Sequence, residues 1–187
     1  MKKILIITAH PSSLGHTHRI ANAYKDVSLE KGHQVVIHDL YKSEHQIPYL
    51  TFENPKVWPD LPELKFFQDE VLWADEIVFV HPVWWGAPPA IMKNWIDHIF
   101  QSHFAYKYEN GKPVGLLKGK CAKVFATSGG PAIIYNFFLS PFRLTWGKAV
   151  NGFCGINTKT VMVFGNASKK DAEDSFLLFL KKIKENA

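Results

Sequence analysis

The chain has 187 residues, with 22 Lys plus Arg against 17 Asp plus Glu and a formal charge of +5, and that length predicts a single domain spanning 1–187. Apolar residues at 47% and charged residues at 21% are ordinary globular usage and exclude a disordered or collagen-like chain. No window approaches the ~20 apolar residues of a membrane helix, and the positive charge is spread without a Lys/Arg block or nucleic-acid motif, so neither a membrane span nor a nucleic-acid partner is expected. The basic-then-apolar start superficially imitates a signal peptide, but its apolar run stops at Thr8-Ala9-His10, and a first strand over residues 4–8 explains it better.

The first loop, His10-Pro11-Ser12-Ser13-Leu14-Gly15-His16-Thr17-His18-Arg19, has neither a Gly-x-Gly-x-x-Gly nor a Walker lysine. It offers hydroxyls, imidazoles, Arg19 and the N–H groups of a helix start, which suit a phosphate dianion; the same residues could equally be a Ser/Thr-capped helix start. Ile20, Tyr24 and Val27 give helical spacing up to Gly32, a helix stop. A strand over 34–38 follows. The connection over 41–61, holding Pro48, Pro55 and Pro59, is long enough to expect a functional or interfacial role. Leu64, Phe67 and Val71 form a helix face after Pro62, and a strand over 76–80 comes next.

His81-Pro82-Val83-Trp84-Trp85-Gly86-Ala87-Pro88-Pro89 leaves that strand. Adjacent residues of an extended chain face opposite ways, so at least one tryptophan should be a platform for something planar, a core cap or an interface. Ile91, Trp95 and Ile99 mark a helix opened by Pro88-Pro89. After a strand over 122–127 comes Thr127-Ser128-Gly129-Gly130-Pro131, whose glycines let backbone N–H groups approach a ligand but which also makes an ordinary turn. The region 131–155 reads as a helix with an irregular entry, including Phe137-Phe138-Leu139. A strand over 160–164 precedes a last helix opened by Ser168-Lys169-Lys170-Asp171 and carrying Phe176, Leu180 and Ile183 on one face.

Five strands alternating with helices predict an α/β fold, a flavodoxin-like doubly wound parallel sheet of order 2-1-3-4-5 with helices on both faces. In such sheets ligands bind beyond the carboxyl ends of the strands, where the loops after the first, third and fourth strands should meet.

These loops resemble those of a known family. Pro82, Val83, Trp84 and Trp85, with Pro89-Ala90-Ile91-Met92-Lys93-Asn94-Trp95, resemble the isoalloxazine-binding segment of the NAD(P)H:quinone oxidoreductases. Phe104-Ala105-Tyr106-Lys107-Tyr108 resembles that family's Phe-Ala-Tyr-x-Tyr. Thr127, Ser128, Gly129 and Gly130 with Tyr135 resemble its Thr-Thr-Gly-Gly and downstream tyrosine, and Phe153-Cys154-Gly155 its Phe-Cys-Gly. The resemblance implies a flavoprotein in which NAD(P)H gives hydride to the flavin and a quinone-like acceptor then takes it, in a ping-pong cycle. His10, His16, Thr17 and His18 would join Pro82 to Trp85 and Thr127 to Gly130 in holding the cofactor. Tyr135 would assist as hydrogen-bond or proton donor, and Tyr106 and Tyr108 would line the acceptor site of a partner in a cytoplasmic homodimer.

Three departures stand out. Pro141 occupies the place of a histidine in the family's mammalian members, leaving His16, His103 or water as proton source. Thr17 replaces a usual asparagine. The C-terminus is much shorter than in the mammalian members, which favours FMN, with FAD the alternative. Other expectations are modest. The histidine spacings, including His98 and His103, present no ligand pair on a helix face, so no metal is expected. Cys121 and Cys154 read as reduced core thiols, and Phe67, Trp73, Phe176 and Phe179 as core. Ser12 and Ser128 lack a nucleophile elbow. A flavodoxin-type one-electron carrier and an ancillary subunit of a potassium efflux system are the alternative functions.

Overall fold

The computed structural model describes residues 1–51, 54, 58–137 and 140–187. Pro55, Phe138 and Leu139 therefore lie outside the described residues. Continuous apolar runs become the strands of one parallel sheet: β1 (Lys3–Thr8), β2 (Gln34–Asp39), β3 (Glu76–Pro82), β6 (Cys121–Thr127) and β7 (Asn157–Phe164). Their order, β2-β1-β3-β6-β7, is the expected doubly wound one, counting β6 and β7 as fourth and fifth. Two short strands, β4 (Tyr106–Glu109) and β5 (Lys112–Gly115), pair antiparallel as a separate hairpin. Its turn, Asn110-Gly111, has φ of 50° and 75°, the mirror-image turn that such a dipeptide favours.

Side chains alternate across the sheet. Leu5 and Ile7 of β1 enter one core with Phe67 of α2 (Pro62–Trp73), Trp95 of α3 (Ala90–Ile99) and Trp146. Ile4 and Ile6 enter the other, with Ile20 and Tyr24 of α1 (His16–Glu30) and Phe176 and Ile183 of α6 (Ala172–Glu185). Both faces of every central strand are thus covered, which is why the strands read as apolar runs rather than alternations. The expected core positions Phe67 and Phe176 are fully buried, and Trp73 and Phe179 pack partly buried at the margins. Both cysteines are free.

Three local departures from the sequence expectations are physical. The last helix begins at Ala172, and Asp171 rather than Ser168 stands at its N-cap; residues 165–170 form the turn that meets the β6 loop instead. The irregular entry over 131–155 resolves into α4 (Ile133–Asn136), α5 (Pro141–Leu144) and a π-helical stretch (Thr145–Val150). The long connection after β2 is strapped to α3 by Asn94, whose Nδ2 donates to Ile47 O at 3.1 Å and Pro48 O at 3.0 Å.

Candidate functional site

At the carboxyl ends of the strands, four loops enclose a cleft of about 230 Å³. The loop after β1 contributes His10, Gly15, His16 and Thr17; that after β3, Pro82, Val83 and Trp84; that after β6, Thr127, Ser128 and Gly129. The fourth, between β7 and α6, contributes Ala167 and Ser168. Sequence reading had Ser168 capping the last helix, so this wall was missed. Gly165 was the available signal: a Cβ there would lie 2.1 Å from Ala132 N. Only glycine lets the β7 turn press on the β6 loop, where Asn166 N–H donates to Gly130 O at 2.8 Å and Ala167 N–H to Ser128 O at 2.9 Å.

The anion side of the cleft is the start of α1. Gly15 at the N-cap has no side chain to accept a hydrogen bond, and the first turn carries no acid. The first helical bond is Arg19 N–H to Gly15 O at 3.4 Å, so the N–H groups of His16, Thr17 and His18 have no partner among the described residues. Free N–H groups at a positive helix terminus attract a phosphate. Thr17 Oγ1 lies 3.3 Å from Thr127 Oγ1, joining this loop to the β6 loop beneath the cleft. His10 accepts from Ser12 N–H through Nδ1 at 3.0 Å and sets its ring 6.3 Å from that of Trp84.

The wall is Trp84. Its N–H donates to Ala87 O at 2.9 Å and Ala87 N–H returns a bond to Trp84 O at 3.0 Å, closing a two-residue turn in which Trp85 and Gly86 have φ of 53° and 78°. Positive φ is costly for a bulky residue, and the turn presents Trp85 to solvent, fully exposed. Val83 N–H donates to Thr127 O at 2.7 Å, which ties the tryptophan loop to the β6 loop. The Gly129 N–H is unused among the described residues, on a residue that lines the cleft.

Residues 2–187 match the profile described as a flavodoxin-like fold. The chain belongs to the flavodoxin-like family. This flavodoxin-like protein is 37% identical over 171 residues to an uncharacterized NAD(P)H oxidoreductase of Haemophilus influenzae, covering 87% of this chain and 83% of that one. It is 30% identical over 168 residues to an FMN-dependent NADH:quinone oxidoreductase of Coprothermobacter proteolyticus, covering 83% and 82%. Among solved structures, Smu.1420 from Streptococcus mutans superposes with a TM-score of 0.84 at 30% identity, covering 98% and 97%.

Within the flavodoxin-like frame, not every residue expected at the site lines the cleft. His16 does, but its ring packs 4.2 Å from Phe176 and 5.4 Å from Phe164. Burial, and then neighbouring Arg19, lower its basicity, so it offers the cleft a neutral edge and its backbone N–H. His18 turns away to Asp39, Nε2 to Oδ2 at 2.9 Å. Gly130 and Trp85 flank the cleft without lining it. Tyr135 is half-buried on α4, its ring 5.9 Å from Phe142. Tyr106 and Tyr108 stand on the hairpin around Phe153, with ring centroids 4.7 and 6.5 Å from it. Of the proposed proton sources, His103 is exposed in the turn before β4.

The donor set fits FMN. The free N–H groups of α1 suit its phosphate, Trp84 its flat ring, and the Gly129 N–H with the Thr127 and Ser128 hydroxyls the polar edge of its pyrimidine. No helix among the described residues is long and apolar enough to cross a membrane.

Proposed function

We propose that this flavodoxin-like protein is an FMN-dependent NAD(P)H:quinone oxidoreductase acting as a cytoplasmic homodimer. The observation that carries the reading is the cleft itself, where an uncapped helix start, a tryptophan wall and an unused glycine N–H converge from separate loops. FMN held there would supply the two-electron chemistry of hydride transfer between NAD(P)H and a quinone-like acceptor.

This chain's residues bind, orient and stabilise. The N–H groups of His16, Thr17 and His18 would hold the phosphate, and Trp84 would wall the ring. The Gly129 N–H and the Thr127 and Ser128 hydroxyls would hold the polar edge of the ring with donors already in place, so that stabilising charge there would need little reorganisation. Tyr135 serves as the hydrogen-bond or proton donor to the reacting edge. Tyr106 and Tyr108 line the acceptor site of the partner protomer. Apolar side chains left exposed in the loop after β3 and on and beside α4, Trp85, Ile133, Ile134 and Phe137 among them, support burial by a second copy.

The purified protein is expected to be yellow, to release FMN on denaturation, to run at twice the chain mass and to oxidise NADH or NADPH when a simple quinone is present. Colourless protein that gains no visible spectrum with added FMN or FAD overturns the reading. Tyr135→Phe is expected to lower kcat for quinone reduction by roughly tenfold or more while FMN affinity stays within about twofold. An unchanged kcat removes Tyr135 from the mechanism.

A further inference from the structure

Two adjoining grooves, of about 740 and 420 Å³, meet at Arg143 and Val161 along the exposed edge of β7. Together they follow all eight residues of the strand, about 26 Å of extended chain. Neither shares a residue with the cofactor cleft. Arg143, Lys148, Lys159, Lys169 and Lys182 line them against a single acid, Asp171. None of these five cations forms an ion pair among the described residues, whereas Lys2, Arg19, Lys65, Lys93, Lys107 and Lys123 each do. These five unpaired cations thus stand together along one sheet edge.

The edge is also partly sealed. Asn136 takes the place of a neighbouring strand: its Nδ2 donates to Val163 O at 3.1 Å and its Oδ1 accepts from Val163 N–H at 2.9 Å. Arg143 Nη1 donates to Val161 O at 2.6 Å. An occupant must therefore be read mainly through side chains, against the basic rim and the exposed Leu144 and Leu178, rather than by extending the ladder. A compact anion would fill only one of the two grooves. A single-stranded nucleic acid wants free aromatic platforms along its track, and the lining aromatics, Phe164 and Phe179, are packed on each other at 5.5 Å.

We propose that this groove docks an acidic, extended segment of a partner protein in which Asp or Glu alternates with apolar residues. The acids meet the lysines of the rim and the apolar residues meet Leu144 and Leu178. The proposal does not depend on the cofactor reading, because it is tested by binding without turnover.

The test is fluorescence anisotropy of the full chain with a labelled eight-residue peptide alternating Glu and Val. Saturable binding is expected, weakened at least about tenfold in the Lys148→Glu, Lys159→Glu, Lys182→Glu variant and by raised salt. Circular dichroism should show the variant folded with an unchanged melting curve, and a Lys-Val peptide should not bind. Absence of saturable binding, equal binding by the folded variant, or tighter binding of a single-stranded oligonucleotide of the same charge overturns the proposal. Should the triple variant fail to fold, Lys159→Glu and Lys182→Glu are read singly, each expected to weaken binding about threefold or more.

Discussion

His81 sits at the end of β3, fully buried, with Nδ1–H donating to Pro82 O at 2.8 Å and Nε2 without a partner among the described residues. That bond fixes the peptide that carries Val83 into the cleft wall, while the ring lies 5.2 Å from Trp146 and 5.9 Å from Phe142. Burial drives its pKa down to about 4, the hydrogen bond to Pro82 only partly opposing it. In the unfolded chain the imidazole titrates near 6.5, so the unfolded state binds the extra proton first. The stabilising contribution is therefore fully present above about pH 6.5 and is lost as pH falls toward about 4, at roughly 1.4 kcal/mol per pH unit and about 3 kcal/mol in all. Urea denaturation across this window should show that slope, and His81→Phe should flatten it whatever it does to stability at neutral pH. An unchanged slope in the variant would place the acid sensitivity elsewhere.

At the level of elements, the strands were legible because burial on both faces writes itself as an apolar run; alternation with helices gave the parallel sheet, and the count of five strands favoured the flavodoxin-like order over a six-stranded one. The hairpin was missed although Asn110-Gly111 is a strong turn signal, since Tyr106 and Tyr108 were read for their chemistry and not for their alternation. Ser168 misled because a hydroxyl followed by an acid three residues on looks like a capping box, whereas contact between the β6 and β7 turns decided where α6 begins. Nine of the expected cofactor residues line the cleft, those whose backbone or ring must face it. His18 could not be placed from sequence because its partner, Asp39, lies on β2, 21 residues further along the chain. The N-terminus of α1 offers a test of this element's role. Gly15 has extended φ and ψ of −83° and 168°, open to any residue, and a Cβ would meet His10 Cε1 at 3.4 Å. Gly15→Asp should cap the helix, raising the stability of the FMN-free protein by a few tenths of a kcal/mol. The same carboxylate occupies and repels the phosphate position, so FMN affinity, read by quenching of flavin fluorescence, should fall at least about tenfold. Retained affinity would mean that the phosphate binds elsewhere.

Across the whole molecule the sheet has two unlike ends. The carboxyl ends keep N–H groups unpaired for a ligand, whereas the amino ends are locked by a buried network around Glu76, which is 1% exposed. Tyr24 O–H donates to one carboxylate oxygen, and Lys123 and Lys2 each approach the other at 3.2 Å. Lys123 Nζ also donates to the Tyr24 hydroxyl at 2.6 Å and to Asn186 O, tying α1, β3, β6 and the end of α6 together. Burial alone would raise the Glu76 pKa, but the Tyr24 hydrogen bond and the two lysines outweigh it and hold the carboxyl below its ordinary range. Removing one partner of such a buried pair leaves the other charge uncompensated and costs about 3–5 kcal/mol, whereas replacing both by apolar groups can be nearly neutral. Glu76→Leu should therefore lower the urea midpoint sharply, and Glu76→Leu with Lys123→Met should recover much of the loss. Because the network lies at the sheet's amino end, folded samples of either variant should bind FMN with wild-type affinity. A small effect of the single substitution, or no recovery in the double one, would mean that the pair is solvated and the lock weak; altered FMN affinity would mean that the two ends of the sheet are coupled rather than independent.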